Sequence, residues 1–200
     1  MHKLIYFDWA GRAEAIRDAL RIGQIVFKDI RLSYQEFSML RNQGKFPYDV
    51  LPVLELSSGT VISQSNTILR WAAHQAKLCP QTVEDLLLME SMLDAIEDYA
   101  TRLSVSIRVS DLKVKTHLRS RLNQDCFPKF YQLLTRHLNI QSSQHLLGHQ
   151  LTVADLKAYH FIDKLTNGTL DGISVDALNH YPILKAWFGH IDTVRRTHNL

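Results

Sequence analysis

The stretch VLPVLELSSGTVISQSN, residues 50–66, decides how the first third of the chain folds. Val53, Leu54 and Leu56 give a short buried strand, Ser57-Ser58-Gly59 a turn, and Thr60-Val61-Ile62 the returning strand. Pro52 stands at the strand entrance, where it has no N–H to give a ladder. Gln64-Ser65 ends the stretch at the start of a helix, with Ser65 as the expected N-cap. Two readings of Pro52 stand on the residues alone. In one it is a trans proline on an edge strand. In the other it is cis, and its turn leaves the N–H and C=O of Leu51 outside the sheet, open to an extended peptide. Gln64, Ser65 and the helix N-terminus beside them favour a carboxylate. The second reading is therefore a cradle for a short peptide bearing a carboxylate.

Outward from the hairpin, the first 75 residues alternate strand and helix. KLIYF (3–7) reads as a strand, and RAEAIRDALRI (12–22) as a helix with Ala13, Ile16 and Leu20 on one stripe, stopped at Gly23. IVFKDI (25–30) reads as a second strand, residues 34–41 as a short helix, and SNTILRWAAHQA (65–76) as another. The order β-α-β-α-β-β-α puts parallel strands first and a hairpin last, so helices pack on a mixed sheet. After residue 77 only helical patterns recur. KLCPQT (77–82) is a breaker segment, with Thr82 and Asp85 spaced as a capping box. Leu86, Met89, Leu93, Ile96, Ala100 and Leu103 mark one long helix. Further helices are expected over 111–138, bent at Pro128, then 152–166 and 182–197. Thr152 and Asp155 form a second capping box, with Leu151 as its staple. The expected division is an α/β domain over 1–77, a linker over 78–82 and an all-helical domain over 83–200.

Composition narrows the function. Apolar residues are 46% and charged residues 22%, and 23 − 20 gives a net charge of +3, ordinary for a globular chain. Lys113, Lys115, Arg119 and Arg121 are the densest basic cluster and suit a solvated helix face better than nucleic acid. LIYF is too short for a leader core, and no run reaches the roughly 18 apolar residues of a membrane span. Cys79 and Cys126 make no disulfide framework and read as small hydrophobes in a reducing cytosol. His145 and His149 lack a third ligand nearby, so no metal is expected.

Four blocks occur in order along the chain: YFDWAGRAEAIR (6–17), LPVLEL (51–56), SQSNTILRWAA (63–73) and LTVADL (151–156). Together they resemble the cytosolic glutathione S-transferases, and the opening block most resembles their sigma class, which includes haematopoietic prostaglandin D synthase. The resemblance covers essentially the whole chain. It implies a thioredoxin-like domain with a cis proline followed by a helical bundle, a homodimer, and glutathione as co-substrate for conjugation to electrophilic small molecules. A glutathione-dependent isomerase and a non-catalytic relative, like some lens proteins, are the rival readings.

The resemblance also assigns residues. Tyr6, at a strand end before a helix, matches the catalytic tyrosine. Arg12 is implied near it, ordering the site. Leu51 and Pro52 would hold the cysteinyl part of glutathione, and Gln64 and Ser65 its γ-glutamyl carboxylate. Phe37 and Arg41 align with a tryptophan and a lysine at the glycine end; Phe37, lacking an indole N–H, offers packing only. Asp98 is implied to reach the α-amino group from across the dimer, with Asp94 or Glu97 as substitutes. Tyr48 matches an aromatic that enters the partner subunit in related classes, or else is a buried intrachain ring. Trp9 and residues 99–107 are expected around the electrophile, in a pocket between the domains. Ala10 departs from the arginine common in this block.

Overall fold

Strand alternation in HKLIYF sets the first layer. Leu4 and Tyr6 are buried on one side of strand β1 (His2–Phe7), while Ile5 and Phe7 face the other. The computed structural model describes residues 1–141 and 144–200. It divides them into two compact units, Met1–Cys79 with His198–Leu200, and Pro80–Thr197.

In the first unit β1 is followed by helix α1 (Glu14–Ile22), strand β2 (Phe27–Leu32), helix α2 (Tyr34–Asn42), strands β3 (Val53–Glu55) and β4 (Val61–Ser63), and helix α3 (Ser65–Ala76). The sheet runs β2-β1-β3-β4, with β1 and β2 parallel and the other pairs antiparallel. The mixed sheet and its hairpin are those expected from the sequence. Strand β2 lies two residues later than its apolar run suggests. Ile25 N–H bonds the Leu20 carbonyl at 2.8 Å and so belongs to the end of α1, and Val26 is 73% exposed. On one side of the sheet Leu32, Phe37, Phe46 and Val53 form a core with Ile5 and Phe7. On the other, α1 and α3 bury Ile16, Leu20, Ile68, Leu69 and Ala72.

Gly23 does more than stop α1. A Cβ there would stand 2.5 Å from the Ala76 Cβ and 2.6 Å from its Cα, so the ends of α1 and α3 touch through hydrogen. Gly23→Ala is expected to cost about 1–3 kcal/mol by overpacking. Denaturant midpoints measure this, and an unchanged midpoint would mean the two helix ends do not meet. Leu78 also belongs to this unit rather than to a linker. Its side chain is buried and its N–H bonds the Ala73 carbonyl at 2.9 Å.

The second unit is helical throughout its described residues. Helix α4 (Val83–Arg108) is capped by Thr82, whose Oγ1 accepts the Asp85 N–H at 3.1 Å. Met89, Leu93, Ile96 and Leu103 of the expected stripe are buried. The stretch anticipated as one bent helix is α5 (Leu112–Arg121), a π turn over Leu122–Cys126 and α6 (Phe127–Gln141). The irregular turn falls immediately before Pro128, whose missing N–H removes a ladder bond there. Helices α7 (Val153–Thr166) and α8 (Pro182–Thr197) follow.

Asp155 organises this unit. It is fully buried, and each carboxylate oxygen accepts twice. One takes the Leu146 N–H at 2.8 Å and the Trp187 Nε1–H at 3.1 Å; the other takes the Thr152 N–H at 2.9 Å and its hydroxyl at 3.0 Å. Burial pushes the Asp155 carboxyl upward, and these donors pull it back.

Candidate active site

Strand register brings Tyr6, Pro52 and Gln64 to one end of the sheet. Ile5 pairs with Val53, and Val53 with Ser63. Extending both registers by one residue sets Tyr6 and Gln64 on either side of Pro52. The Leu51–Pro52 peptide is cis. Leu51 lies outside the ladder, which begins at Val53. The buried Ser63 hydroxyl donates to the Pro47 carbonyl at 3.0 Å and ties the loop before Pro52 to the end of β4.

Tyr6 is 6% exposed, and its side chain runs beneath the segment that leads into α1. The hydroxyl oxygen accepts the Arg12 backbone N–H at 3.3 Å. Gly11 permits this approach. Its φ is +138°, where side chains are strained, and a Cβ there would stand 2.9 Å from the Tyr6 hydroxyl. Beside the ring lies Arg17, with no exposed side-chain surface and its guanidinium carbon 5.8 Å from the ring centroid. Glu14 Oε2 holds it at 2.6 Å and Asp29 at 3.1–3.2 Å. An accepted N–H and a nearby cation both polarise a phenol toward donating its own proton.

Arg12 precedes α1 by two residues and is exposed, so it sits in the entry turn and not in the helix as expected. Gln64 occupies the N-cap position of α3 with φ +76° and ψ 114°, a sparsely populated conformation for a side-chain-bearing residue. Ser65 is the first helical residue, and no side chain caps this end. The expected N-cap role of Ser65 is thus corrected: its dihedrals already belong to the helix, and a cap must precede it. Phe37 lies in the core against Phe7 and Phe46, and its ring carries the Arg41 guanidinium at 5.5 Å. Tyr48 is 79% exposed at φ +57°, which removes the buried intrachain reading. Trp9 is half-exposed and stacked on Phe7 at 4.3 Å.

In the second unit Asp98 lies exposed on α4 with no partner among the described residues. Glu97 is bonded to Lys157 Nζ at 2.9 Å, which also donates to the Leu93 carbonyl. That engagement leaves Glu97 the poorer substitute for Asp98.

Residues 82–196, more than half of the chain, match the family model for the glutathione S-transferase C-terminal domain. The chain belongs to the glutathione S-transferase family. Among similar proteins, glutathione S-transferase 2 of Caenorhabditis elegans is 29% identical over 83% of this transferase and 89% of its own length. The structure of prostaglandin synthase D of Nilaparvata lugens superposes with a TM-score of 0.85 at 25% identity, covering 96% of this chain and 92% of the other. Monomeric Na-GST-3 of Necator americanus gives 0.81 at 27% identity, covering 96% and 91%. The fold expectation of a small sheet domain followed by a helical one is that of this family. Sequence reasoning passed over Gly11, Arg17 and Ser63. Arg17 was legible: it lies four residues after Ala13 and three before Leu20, on the buried stripe.

Proposed function

We propose that this transferase binds reduced glutathione at the end of the sheet and conjugates it to electrophilic small molecules, with Tyr6 stabilising the thiolate. A free cysteine thiol titrates near 8.5, so little of it is the attacking thiolate at neutral pH. A hydroxyl donating to sulfur favours the anion, and lowering the pKa by about two units requires roughly 2.7 kcal/mol. The observation that carries this reading is the buried Tyr6 hydroxyl, polarised by the Arg12 N–H at the entrance to α1. In this reading Arg12 orders the entry turn, and the Leu51 backbone beside Pro52 holds the cysteinyl unit. Gln64, Ser65 and the N-terminus of α3 receive the γ-glutamyl carboxylate. Arg41, supported from beneath by Phe37, receives the glycine carboxylate. Trp9 supplies apolar surface for the electrophile. A sigma-like enzyme acting as a cytoplasmic homodimer completes the proposal.

Glutathione conjugation of an aryl halide tests it, and a folded protein that binds glutathione without turning over any such electrophile refutes the conjugating role. The likeness to an insect prostaglandin synthase D favours a second reading, glutathione-dependent isomerisation. Turnover of a prostaglandin endoperoxide without net consumption of glutathione selects that one.

Ser65→Ala separates ligand from cap. Because no side-chain cap is present to lose, stability is expected to change by less than about 0.5 kcal/mol. Glutathione affinity is expected to fall. Calorimetry together with denaturant unfolding reads both quantities, and unaltered affinity removes Ser65 from the carboxylate cradle.

Asp98 is proposed to reach the glutathione ammonium of the second subunit. Asp98→Asn is expected to raise the glutathione dissociation constant several-fold while sedimentation still finds the dimer. A monomeric wild type, or unchanged affinity in the variant, ends the shared-site idea and leaves the Tyr6 chemistry standing.

A further inference from the structure

Position 17 lies on the buried stripe with Ala13, Ile16 and Leu20, where a leucine would pack without electrostatic cost. It is instead an arginine with no exposed side-chain surface. Burying a charge is costly unless partners surround it, and the partners of Arg17 are specific. Its Nη1 donates to the Trp9 carbonyl at 3.4 Å and to Glu14 Oε2 at 2.6 Å. Those two residues flank the segment 10–13, which carries Gly11 and Arg12. One nitrogen therefore spans the turn that lays the Arg12 N–H on the Tyr6 hydroxyl. Arg17 Nε meets both oxygens of Asp29, at 3.2 and 3.1 Å. Asp29 pairs with Leu4 across the β1–β2 ladder, two residues before Tyr6. The guanidinium is thus fixed both to the strand that bears the tyrosine and to the turn that covers its hydroxyl. Arg31, the ladder partner of Tyr6, repeats the link nearer the surface, bonding Asp29 at 3.0 Å and Asp8 at 3.3 Å. That outer pair is solvent-screened and contributes less.

The third nitrogen, Nη2, is buried without a hydrogen-bond partner among the described residues. A group selected for stability alone would not leave a buried charged donor unpaired, and a local rule broken in this way is characteristic of functional sites. We propose that Arg17 is a positioning residue for the thiolate chemistry: it ties the 10–13 turn to β1, so that the Arg12 N–H occupies one side of the Tyr6 oxygen and the hydroxyl proton is left directed at the sulfur. This role rests on the Tyr6 reading and adds how the hydroxyl is aimed. It depends on the guanidinium fork and not on charge alone. A lysine has one nitrogen on a flexible stem and cannot hold the Trp9 carbonyl, Glu14 and Asp29 at once.

The test is spectroscopic titration of the glutathione thiol bound to the full chain. It compares wild type with Arg17→Lys, and with Arg17→Met combined with Glu14→Gln and Asp29→Asn. The triple variant removes the charges together, so no carboxylate is stranded in the interior. Both variants are expected to raise the bound thiol pKa by about half a unit to one unit. At about pH 5.5, below the bound pKa, turnover should then fall about three- to tenfold, with the glutathione KM changed less than about twofold. The deficit should close above the ordinary thiol range. In a Tyr6→Phe background the same substitutions should add nothing, because Arg17 acts through the hydroxyl. Glu14→Ala cuts one tether at a partly exposed side chain and should shift the pKa in the same direction; it carries the test where the Arg17 variants do not fold. A wild-type thiol that titrates at the free value refutes the Tyr6 reading and this role with it. A lowered wild-type pKa that no Arg17 or Glu14 substitution moves overturns this role alone. So does full retention of that pKa in Arg17→Lys, which would make the effect one of charge, or an equal further loss in the Tyr6→Phe background.

Discussion

Replacing Tyr6 by phenylalanine should lower turnover by roughly 10- to 150-fold at neutral pH while changing glutathione affinity little. Only one hydroxyl is removed, and the buried ring remains beside Arg17 and Phe7. A hydrogen bond to a charged partner contributes about 1.5–3 kcal/mol, which sets that range. The loss should fall on kcat and on kcat/KM with an electrophile, and not on the glutathione KM, because the contact strengthens as sulfur becomes anionic. The deficit should shrink as pH rises toward the ordinary thiol range, where glutathione ionises without help. A variant slowed equally at every pH would point to Tyr6 as a packing element. The Arg12 N–H that the hydroxyl accepts at 3.3 Å also loses its partner, so a modest loss of stability is expected alongside.

Asp155→Ala should unfold the helical unit at markedly lower denaturant, with a cost of about 3–4 kcal/mol. Four donors converge on its carboxylate: the Leu146 N–H, the Trp187 indole N–H, and the N–H and hydroxyl of Thr152. Each buried donor left without a partner costs about 1–3 kcal/mol, and loss of the cap interaction adds to that. Relaxation recovers part of the sum. The effect is large because one side chain joins the start of α7, the segment before it and α8. Urea unfolding followed by Trp187 fluorescence measures it. A cost near that of a solvated cap, about 1 kcal/mol, would show that the donors find other partners.

Most of the fold could be read because its signals are local. The hairpin of residues 53–63, the helix over 65–76 and the last two helices followed from turn residues, caps and spacing. Errors arose where tertiary context outweighed local pattern. The apolar Ile25 and Val26 drew the expected start of β2 two residues too early, yet Ile25 belongs to the end of α1, and on the edge strand β2 Asp29 neutralises the buried Arg17. Ser65 carried a cap signature, but Gln64 takes the cap position in a left-handed conformation that no propensity favours. The π turn before Pro128 was visible only as a bend.

The candidate site was legible differently. Tyr6, Pro52 and Gln64 are far apart in sequence, and physical reasoning on each alone left open whether they meet. Strand register brings their neighbours together. Gly11 escaped notice because its contribution is a close approach to the tyrosine, which no spacing rule encodes; the burial of Arg17 could be read from its place on the α1 stripe, but its contact with the ring could not. Tyr48 was ambiguous for the same reason, since exposure is a property of the folded loop.

The central claim is that this chain ionises glutathione. The most direct measurement is a spectroscopic titration of the thiol in the glutathione complex, comparing wild type with Tyr6→Phe. The account predicts a bound thiol whose pKa lies about two units below the ordinary value near 8.5, and recovery of one to two of those units in the variant. A wild-type complex whose thiol titrates at the free value contradicts it, as does a lowered pKa that persists unchanged without the Tyr6 hydroxyl.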